Sequence, residues 1–456
     1  MQGNYLYQNK SSFVLPLLFG IFSMTQIQII GSIGISELIC YIAAPFLLFK
    51  NRVALKNDGF GPVILLSICT IIGCCLSSWH NHTVFPAFIR GVAVTYSLFA
   101  LPICLHALLR KNLNGLKWLL LGICISGIVN IFVFRQSVEV SMLSGGVETD
   151  ETARLIMSGP LFWLQRLGSW LLLPVEGWYL QAPWPYALVS PLIMSAYTIA
   201  TTDSGRSALA SAFLSCAIIF FGRKKISSMK IIQRHLFLFA LLGVSLAMGL
   251  KTGYVAMAKS GYLNERAMRK YEGQMKRNTG LLGMLIGGRS ETFAGLFACF
   301  DNPIWGFGPW SIDENDYTGQ FMIKYGDYDD YVAYSKRLAK ARAMGWRGAG
   351  MPSHSHVIGF WVRYGILGLP FWLYIAYCMY RHFRHNMAAI PNWYGYFAIE
   401  LGLNCWHIIF SPYGNRIGDC LFITCLLLAE AVRRNKINLP IEMLKDVRRV
   451  DPHGMY

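Results

Sequence analysis

The sequence predicts an all-α, polytopic transmembrane helical bundle with a mostly helical cap formed by one long loop. Three observations support this fold class. The 456 residues are 54% hydrophobic and only 14% charged, far below the roughly 25% charged residues of soluble domains. Thirteen tryptophans fit a chain that meets membrane interfaces, where amphipathic rings collect. Long apolar segments also recur along the chain, and about 20 such residues suffice to cross the hydrocarbon core.

About twelve segments have the length and composition of membrane spans. They are residues 12–30, 32–49, 61–79, 84–109, 116–134, 160–179, 185–202, 207–222, 232–250, 356–380, 391–410 and 417–432. The chain is therefore expected to divide into spans one to nine (1–250, with a short polar segment near 135–159), a long loop or cap (251–355), spans ten to twelve (356–432) and a basic tail (433–456).

The distribution of Lys and Arg predicts the orientation, because short cytoplasmic loops are rich in both. The basic connections are 50–56, 110–117, 223–234 and 381–384, together with the tail. Twelve spans with both termini in the cytoplasm place every one of these connections on the cytoplasmic side. The segment near 135–159 and the cap then lie on the outer side.

The net charge of +17 does not indicate a nucleic-acid partner, because the basic residues are interspersed with apolar segments. Most of the 12 cysteines lie in or beside apolar segments, and they form no CxxC motif. A disulfide framework and a zinc ribbon are therefore not expected. His80-Asn81-His82 lacks carboxylate or thiolate partners for a metal, so we predict no metal site and no cofactor.

Two arginines near the predicted outer face are candidates for binding phosphate, which the planar guanidinium suits. Arg206 lies in Asp203-Ser204-Gly205-Arg206, where span seven ends and span eight begins. Arg289 follows two glycines in the cap. The alternatives are an interface arginine that extends toward water and an ordinary turn before a surface helix.

Two further segments join these arginines. Asn302, Gly306 and Gly308 belong to an Asn-Pro-Ile-Trp-Gly-Phe-Gly stretch whose glycines allow the backbone to approach a ligand closely. Ser353-His354-Ser355-His356 stands where the long loop returns to the membrane, and a histidine there can accept a proton near neutral pH. A hydrogen-bonded structural histidine is the alternative.

In this arrangement the chain resembles the O-antigen ligase and O-antigen polymerase superfamily of bacterial polytopic membrane glycosyltransferases. The matching residues are Arg206 at the start of a span, Gly288-Arg289 in the long loop, and the Asn302 to Gly308 segment. His354-Ser355 then precedes Gly365-Ile366-Leu367-Gly368 by nine residues, as in the family pattern. The family's first arginine often follows serine directly, whereas Gly205 intervenes here.

The resemblance covers roughly residues 160–430 and implies a site at the periplasmic face of the inner membrane. The donor would be a glycan on undecaprenyl pyrophosphate and the acceptor a glycolipid or glycan. Arg206 and Arg289 would stabilise the leaving diphosphate, and His354 would act as general base in a metal-independent, inverting transfer. Asn302, Gly306, Gly308, Ser355 and His356 would bind or orient the substrate.

Three interpretations remain open. A ligase attaches a finished chain, as in lipopolysaccharide biosynthesis, and the His-Ser-x9-Gly pattern favours it slightly. A polymerase joins lipid-linked repeat units of an O-antigen or exopolysaccharide with the same donor chemistry. A transporter or flippase of an anionic lipid or polysaccharide would use the same cations without catalysis, although paired charges near the bilayer midplane would then be expected.

Acceptor sugars are expected to stack on cap tyrosines, namely Tyr317, Tyr325, Tyr328, Tyr331 and Tyr334.

Overall fold

The computed structural model is mostly helical over the residues that it describes. These residues are 13–23, 25–28, 32–132, 214–216, 218–219, 260, 290–325, 331–332, 334–336, 338–339, 350–385, 389–414, 416–434 and 437. The predicted spans between residues 133 and 289 fall almost entirely outside this part of the chain.

The helices are numbered here in chain order among the described residues. They are α1 (Val14–Ser23), α2 (Ile35–Asn57), α3 (Gly61–His80), α4 (Phe85–Leu109), α5 (Gly115–Phe132), α6 (Ser290–Asp301), α7 (Tyr317–Tyr325), α8 (His356–Tyr364), α9 (Leu369–His385), α10 (Tyr394–Phe410) and α11 (Arg416–Arg433). Two short strands, β1 (Gln26–Gln28) and β2 (Ser32–Gly34), pair antiparallel with Ile27 opposite Ile33. Single 3-10 turns cover Gly365–Gly368 and Pro391–Trp393.

Proline and glycine mark several helix boundaries. Pro62 and Pro86 lie at the second position of α3 and α4, where a missing N–H costs no helical hydrogen bond. Gly59, with a φ of +86°, makes the turn between α2 and α3. The chain thus reverses between α2 and α3, and both helices pack against α4.

Four helical segments are long and apolar enough to cross a membrane: Ile35–Asn57, Gly61–His80, Phe85–Leu109 and His356–Arg384. They coincide with predicted spans two, three, four and ten, so the chain is a membrane protein with several helical spans. Helix α4 is central, because 67% of its most apolar window is buried, against 17% for α2.

The first predicted span, 12–30, is not one continuous helix. Helix α1 has 10 residues and measures only about 15 Å, half of the roughly 30 Å hydrocarbon core. After α1 the chain forms β1, whose sequence Gln-Ile-Gln falls within the residue range of the predicted span. The β1–β2 pair then leads directly into α2.

The helices run in two opposite directions. Helices α2 and α4 are parallel, since Tyr41 Oη donates to Ala93 O at their starts (2.8 Å) and His106 Nε2 lies 2.8 Å from Asp58 Oδ2 at their ends. Helix α3 is antiparallel to both, because Phe60, just before its start, packs edge-on against His106 with ring centroids 4.6 Å apart.

The later helices follow the same two directions. Arg416 Nε lies 2.9 Å from Glu37 Oε1, which brings the start of α11 to the start of α2. Arg381 Nη2 donates to Glu430 Oε1 (2.5 Å), which joins the ends of α9 and α11. The ends of α2, α4, α9 and α11 therefore lie together with Lys56, Arg110, Lys117, Arg381, Arg433 and Arg434. We call this the basic end of the bundle.

The opposite end carries the described part of the long loop, and we call it the cap end. Ser355 Oγ donates to Ile408 O (2.9 Å), so α8 begins at this end beside the last turn of α10. Trp393 Nε1 donates to Leu113 O (3.1 Å), so α10 and α5 both start at the basic end. Helix α5 therefore runs toward the cap end, the end at which α8 begins.

Two hydrophobic clusters meet on α8. One is the bundle core, to which α8 contributes Phe360 and Tyr364. The other is the cap core, formed by Ala294, Ala298, Cys299, Tyr317, Phe321, Met351 and Val362. Opposite faces of one nine-residue helix thus join the cap to the bundle.

Candidate functional site

His354 lies in a short connection that is fixed on both sides. Before it, Met351 N–H donates to Ser311 O (3.0 Å) in a segment that pairs with the cap. After it, Ser355 is the N-cap of α8 and its Oγ accepts from Ile358 N–H at 3.2 Å. Serine is among the preferred residues for this position, so the local sequence places His354 just outside the first turn of α8.

His354 forms an ion-pair contact with Glu291. The His354 Nδ1 atom meets Glu291 Oε2, and the side chains are 35% and 44% exposed. The backbone is tied as well, because Thr292 Oγ1 donates to the His354 carbonyl at 2.8 Å. A carboxylate at Nδ1 fixes the proton there and leaves Nε2 able to accept one. A carboxylate–imidazole pair open to solvent is suited to general-base catalysis.

The two predicted arginines, Arg206 and Arg289, lie outside the described residues. Ser290, which is bonded to Arg289, begins α6. The next residue in α6 is Glu291, the partner of His354. In sequence, the Gly288-Arg289 motif therefore directly precedes the first turn of α6, which contains the carboxylate that contacts the predicted base His354.

The predicted glycine segment is a compact turn. Asn302 Nδ2 donates to Gly306 O at 2.6 Å, and Gly306 and Gly308 have φ angles of +68° and +87°. Asn81 Nδ2, from the end of α3, donates to the same Gly306 oxygen at 3.0 Å. Side-chain amides thus hold the turn in a backbone conformation that favours glycine.

This turn packs against the end of α8. Phe307 N–H donates to Val362 O (2.7 Å) and Gly308 N–H to Arg363 O (3.0 Å). A Cβ atom on Gly306 would lie 2.6 Å from Gly365 N, so the close approach made here is to protein backbone. Substrate contact by Asn302, Gly306 and Gly308 stays a prediction.

The Gly-x-x-Gly motif meets the same turn. Gly365, with a φ of +65°, ends α8, and a Cβ atom there would lie 1.9 Å from Ile304 O. Ile366 N–H donates to this oxygen at 3.1 Å. The Asn302–Gly308 segment and the Gly365–Gly368 motif, about sixty residues apart in sequence, therefore contact each other through their backbones at the end of α8.

His356 points away from His354. Its side chain is buried in the bundle, stacks on Trp372 with centroids 4.5 Å apart, and lies beside Tyr413. Its Nε2 atom is 3.8 Å from Asp419 Oδ2. The predicted substrate contact of His356 stays a prediction.

The described cap tyrosines differ in how far they are exposed. Tyr317 is 6% exposed, and its hydroxyl donates to Asp301 Oδ2 at 2.7 Å. Burial and the Asp301 carboxylate raise the pKa of Tyr317 to about 12. Tyr325 is half-exposed and stacks on Phe297. Tyr331 and Tyr334 are partly buried, and Tyr328 lies outside the described residues.

Three residues at this site were not predicted. Glu291 is the carboxylate beside His354, while Trp305 and Trp310 are exposed by 38% and 42% on either side of the glycine turn. Trp305 stacks on His80 with centroids 5.3 Å apart. Trp305 belongs to the Asn302–Gly308 segment, which is the sequence signal that could have identified it, whereas Glu291 and Trp310 stand outside the predicted motifs.

Comparisons with protein-family models, with curated proteins and with solved structures find no match to this chain. The functional interpretation therefore depends on the residues of this chain and on their geometry.

Proposed function

We propose that this protein is a membrane glycosyltransferase that transfers a glycan from undecaprenyl pyrophosphate to an acceptor hydroxyl, in the manner of an O-antigen ligase. The observation that carries the proposal is the contact between His354 and Glu291. Glu291 is two residues after Arg289 in sequence, so the partner of the predicted base is a close neighbour in sequence of one predicted phosphate-binding residue.

The proposed reaction is a direct displacement. His354 Nε2 takes the proton of the acceptor hydroxyl, and the hydroxyl oxygen attacks the anomeric carbon. The bond from this carbon to the diphosphate oxygen breaks, and the electron pair leaves on the lipid diphosphate. Attack from the opposite face inverts the anomeric configuration.

Arg206 and Arg289 are the proposed stabilisers of the departing diphosphate. Charge-assisted, bidentate contacts to phosphate oxygens fit this role, and the loss of one such donor typically costs about 3–4 kcal/mol of barrier. The test uses purified protein, a lipid-pyrophosphate glycan and an acceptor. Arg206→Ala, Arg289→Ala and His354→Ala should each give a folded protein and little product. Wild-type turnover in His354→Ala would remove the base role.

The transfer is further proposed to be metal-independent. The assay is repeated with excess chelator, and turnover is expected to persist. Turnover lost on chelation and restored by one divalent metal ion would contradict this part of the proposal alone.

The cap end is proposed to face the periplasm and the basic end the cytoplasm of a bacterial inner membrane, with both termini cytoplasmic. Lys50, Lys56, Arg110 and Lys117 favour the cytoplasm for the basic end. Helix α5 runs toward the cap end and α8 begins there, which requires an even number of crossings between them. Four predicted spans between 160 and 250 satisfy this parity. The proposed total of twelve, with a cytoplasmic N-terminus, further requires that segment 12–30 crosses the membrane although its helix α1 has only 10 residues.

One observation favours a transporter instead. His356 and Asp419 form a buried pair with 3.8 Å between Nε2 and Oδ2, and buried ionisable residues inside a bundle often mark a transport path. Covalent product formed in detergent, where no membrane separates two compartments, would establish an enzyme. Mass spectrometry of the glycolipids that accumulate on gene deletion would then separate a ligase (long unattached chains) from a polymerase (single repeat units).

A further inference from the structure

Arg363 has an unusual setting for a half-buried cation. It lies in the last turn of α8, and its Nη2 atom donates to Ser353 Oγ at 2.7 Å. The guanidinium carbon is 5.3 Å from the ring centroid of Trp310. Since Ser353 is bonded to His354, the guanidinium is tied directly to the segment that carries the proposed base.

Among the described residues, no Asp or Glu oxygen lies within ion-pair distance of Arg363. The other partly buried arginines of the described bundle helices and their caps do have such partners: Arg110 pairs with Asp58, Arg416 with Glu37, and Arg381 with Glu430. Removing a charge from water without a counter-ion is costly. Arg363 thus keeps its charge uncompensated by the described side chains, beside the proposed base.

Trp310, whose ring lies against the Arg363 guanidinium, has a strained backbone conformation. Its φ of +57° is rare for a bulky residue and costs about 1–2 kcal/mol. The adjacent backbone maintains it, because Ser311 Oγ donates to Gly308 O at 3.0 Å and Gly308 N–H is bound to Arg363 O. Backbone strain of this kind is concentrated at ligand-binding sites.

The guanidinium retains donors for a ligand. An arginine has five N–H donors in a planar fork; Ser353 takes one of them, and the Tyr364 hydroxyl is also hydrogen-bonded to this guanidinium, which leaves up to three. The Trp310 ring and the Ser353 hydroxyl fix the plane of the fork, so little side-chain entropy remains to be lost on binding. A tetrahedral oxyanion matches such a fork in charge and in geometry.

We propose that Arg363 is part of an oxyanion site that binds a diphosphate, with Trp310 and Ser353 as positioning residues. The inference rests on the proposed function, in which the leaving group is a lipid diphosphate, and it adds a third guanidinium to Arg206 and Arg289. A phospholipid headgroup offers the same chemistry, and the experiment distinguishes the two sources.

The probe is inorganic pyrophosphate, titrated calorimetrically into the purified full-length chain in detergent. Arg363→Gln is expected to weaken its affinity roughly 10- to 100-fold, the range for one charged hydrogen-bonding group. Arg363→Lys should give an intermediate loss, because an ammonium cannot donate as a planar fork. Trp310→Leu keeps the guanidinium and should weaken binding by a smaller factor.

The matched control is a second exposed cation–aromatic pair in the cap. Lys324 Nζ lies 5.3 Å from the Tyr325 ring centroid on α7, and the Lys324→Gln variant should bind pyrophosphate as wild type does. Unchanged affinity in both Arg363 variants would overturn the inference. In a second arm, vesicles containing phosphatidylglycerol replace pyrophosphate, and a loss confined to that arm would overturn the diphosphate assignment. Binding needs no turnover, so an inactive wild type that binds pyrophosphate through Arg363 would contradict the proposed function alone.

Discussion

At the residue scale, the important contact joins His354 to Glu291. A histidine alone is a weak base candidate, because its ring can rotate and either nitrogen can hold the proton. Here the carboxylate selects the tautomer, and Thr292 fixes the backbone through the His354 carbonyl. Glu291 and Thr292 thus orient His354 as a general base requires.

Glu291→Gln is expected to lower kcat for glycan transfer by about 10- to 100-fold, the usual cost of losing a group that orients a functional histidine. KM should change little, because Glu291 orients the base and is not proposed to bind either substrate. The measurement is steady-state transfer as a function of pH, and the profile should also change shape. Glu314→Gln is the control, since Glu314 is an exposed acid in the same cap. Equal kcat in both variants would show that His354 does not depend on Glu291.

The residues that sequence could identify are those within a recognisable pattern. His354 and Ser355 stand in a fixed spacing before Gly365, and the structure explains it: Ser355 caps α8, and Gly365 ends it with a positive φ. Glu291 and Arg363 carry no such pattern. Their roles depend on contacts between segments that are distant in sequence, so they could be recognised only in three dimensions.

At the element scale, α8 is shared by two hydrophobic clusters. Phe360 and Tyr364 enter the bundle core, while Val362 enters the cap core. The apolar run 356–380 predicted a single long span from hydropathy. The structure instead breaks the helix at Gly365–Gly368, because Ile304 of the cap occupies the space beside Gly365. Hydropathy identifies the apolar run and gives no information about this packing.

Gly365→Ala is expected to destabilise the protein by about 1–3 kcal/mol, the usual range for forcing an extra group into a packed site. The added Cβ would lie 1.9 Å from Ile304 O, and the φ of +65° is unfavourable for alanine. Thermal unfolding in detergent provides the measurement. Gly414→Ala is the control, since a Cβ atom there meets nothing within 4 Å. Similar melting temperatures for the two variants would refute the contact between Gly365 and Ile304.

At the scale of the whole molecule, charge separates the two ends of the bundle. The basic end also holds a buried charged cluster in which Asp58 Oδ2 lies 2.8 Å from His106 Nε2 and 2.5 Å from Arg110 Nε. Burial raises the pKa of Asp58, but the hydrogen bonds from His106 and Arg110 lower it by more, so the pKa lies below its usual range. These contacts join the end of α2 to the end of α4.

Asp58→Ala should cost about 3–5 kcal/mol of stability, because it removes one partner of a buried charged cluster. Since the folded pKa is depressed, the contribution of Asp58 is fully present above about pH 4 and is lost as the pH falls through the lower folded value. Melting temperatures from pH 7 to pH 3 provide the measurement, with the exposed Asn57→Ala as control. A difference between wild type and Asp58→Ala that does not shrink toward pH 3 would contradict this assignment.

The proposed orientation can be tested by thiol labelling in intact cells. A cysteine placed by Glu314→Cys should react with a membrane-impermeant maleimide, because the cap is proposed to lie outside. A cysteine placed by Lys111→Cys, at the basic end, should react only after permeabilisation. The unsubstituted protein supplies the background from its own thiols. The reverse pattern would invert the topology and place His354 in the cytoplasm.

The general plan of the bundle was predictable from composition, because apolar length and loop charge act over whole segments. The structure confirms predicted spans two, three, four and ten as helices long and apolar enough to cross. It departs from span one, where Gln26 and Gln28 begin a strand pair after a short helix. Apolar length alone cannot distinguish a spanning helix from a short helix followed by a hairpin.

The hydrogen bonds from Phe307 and Gly308 to the last carbonyls of α8 have one more consequence. A surface loop can usually be trimmed, because water replaces its contacts. Here the glycine turn supplies the donors for carbonyl oxygens of a span, which nothing in a lipid environment can replace. Excision of the cap would leave Val362 O without its donor, while Arg363 O would keep only the hydrogen bond from Ser77 Oγ (2.8 Å), so the membrane domain is expected to be less stable without the cap.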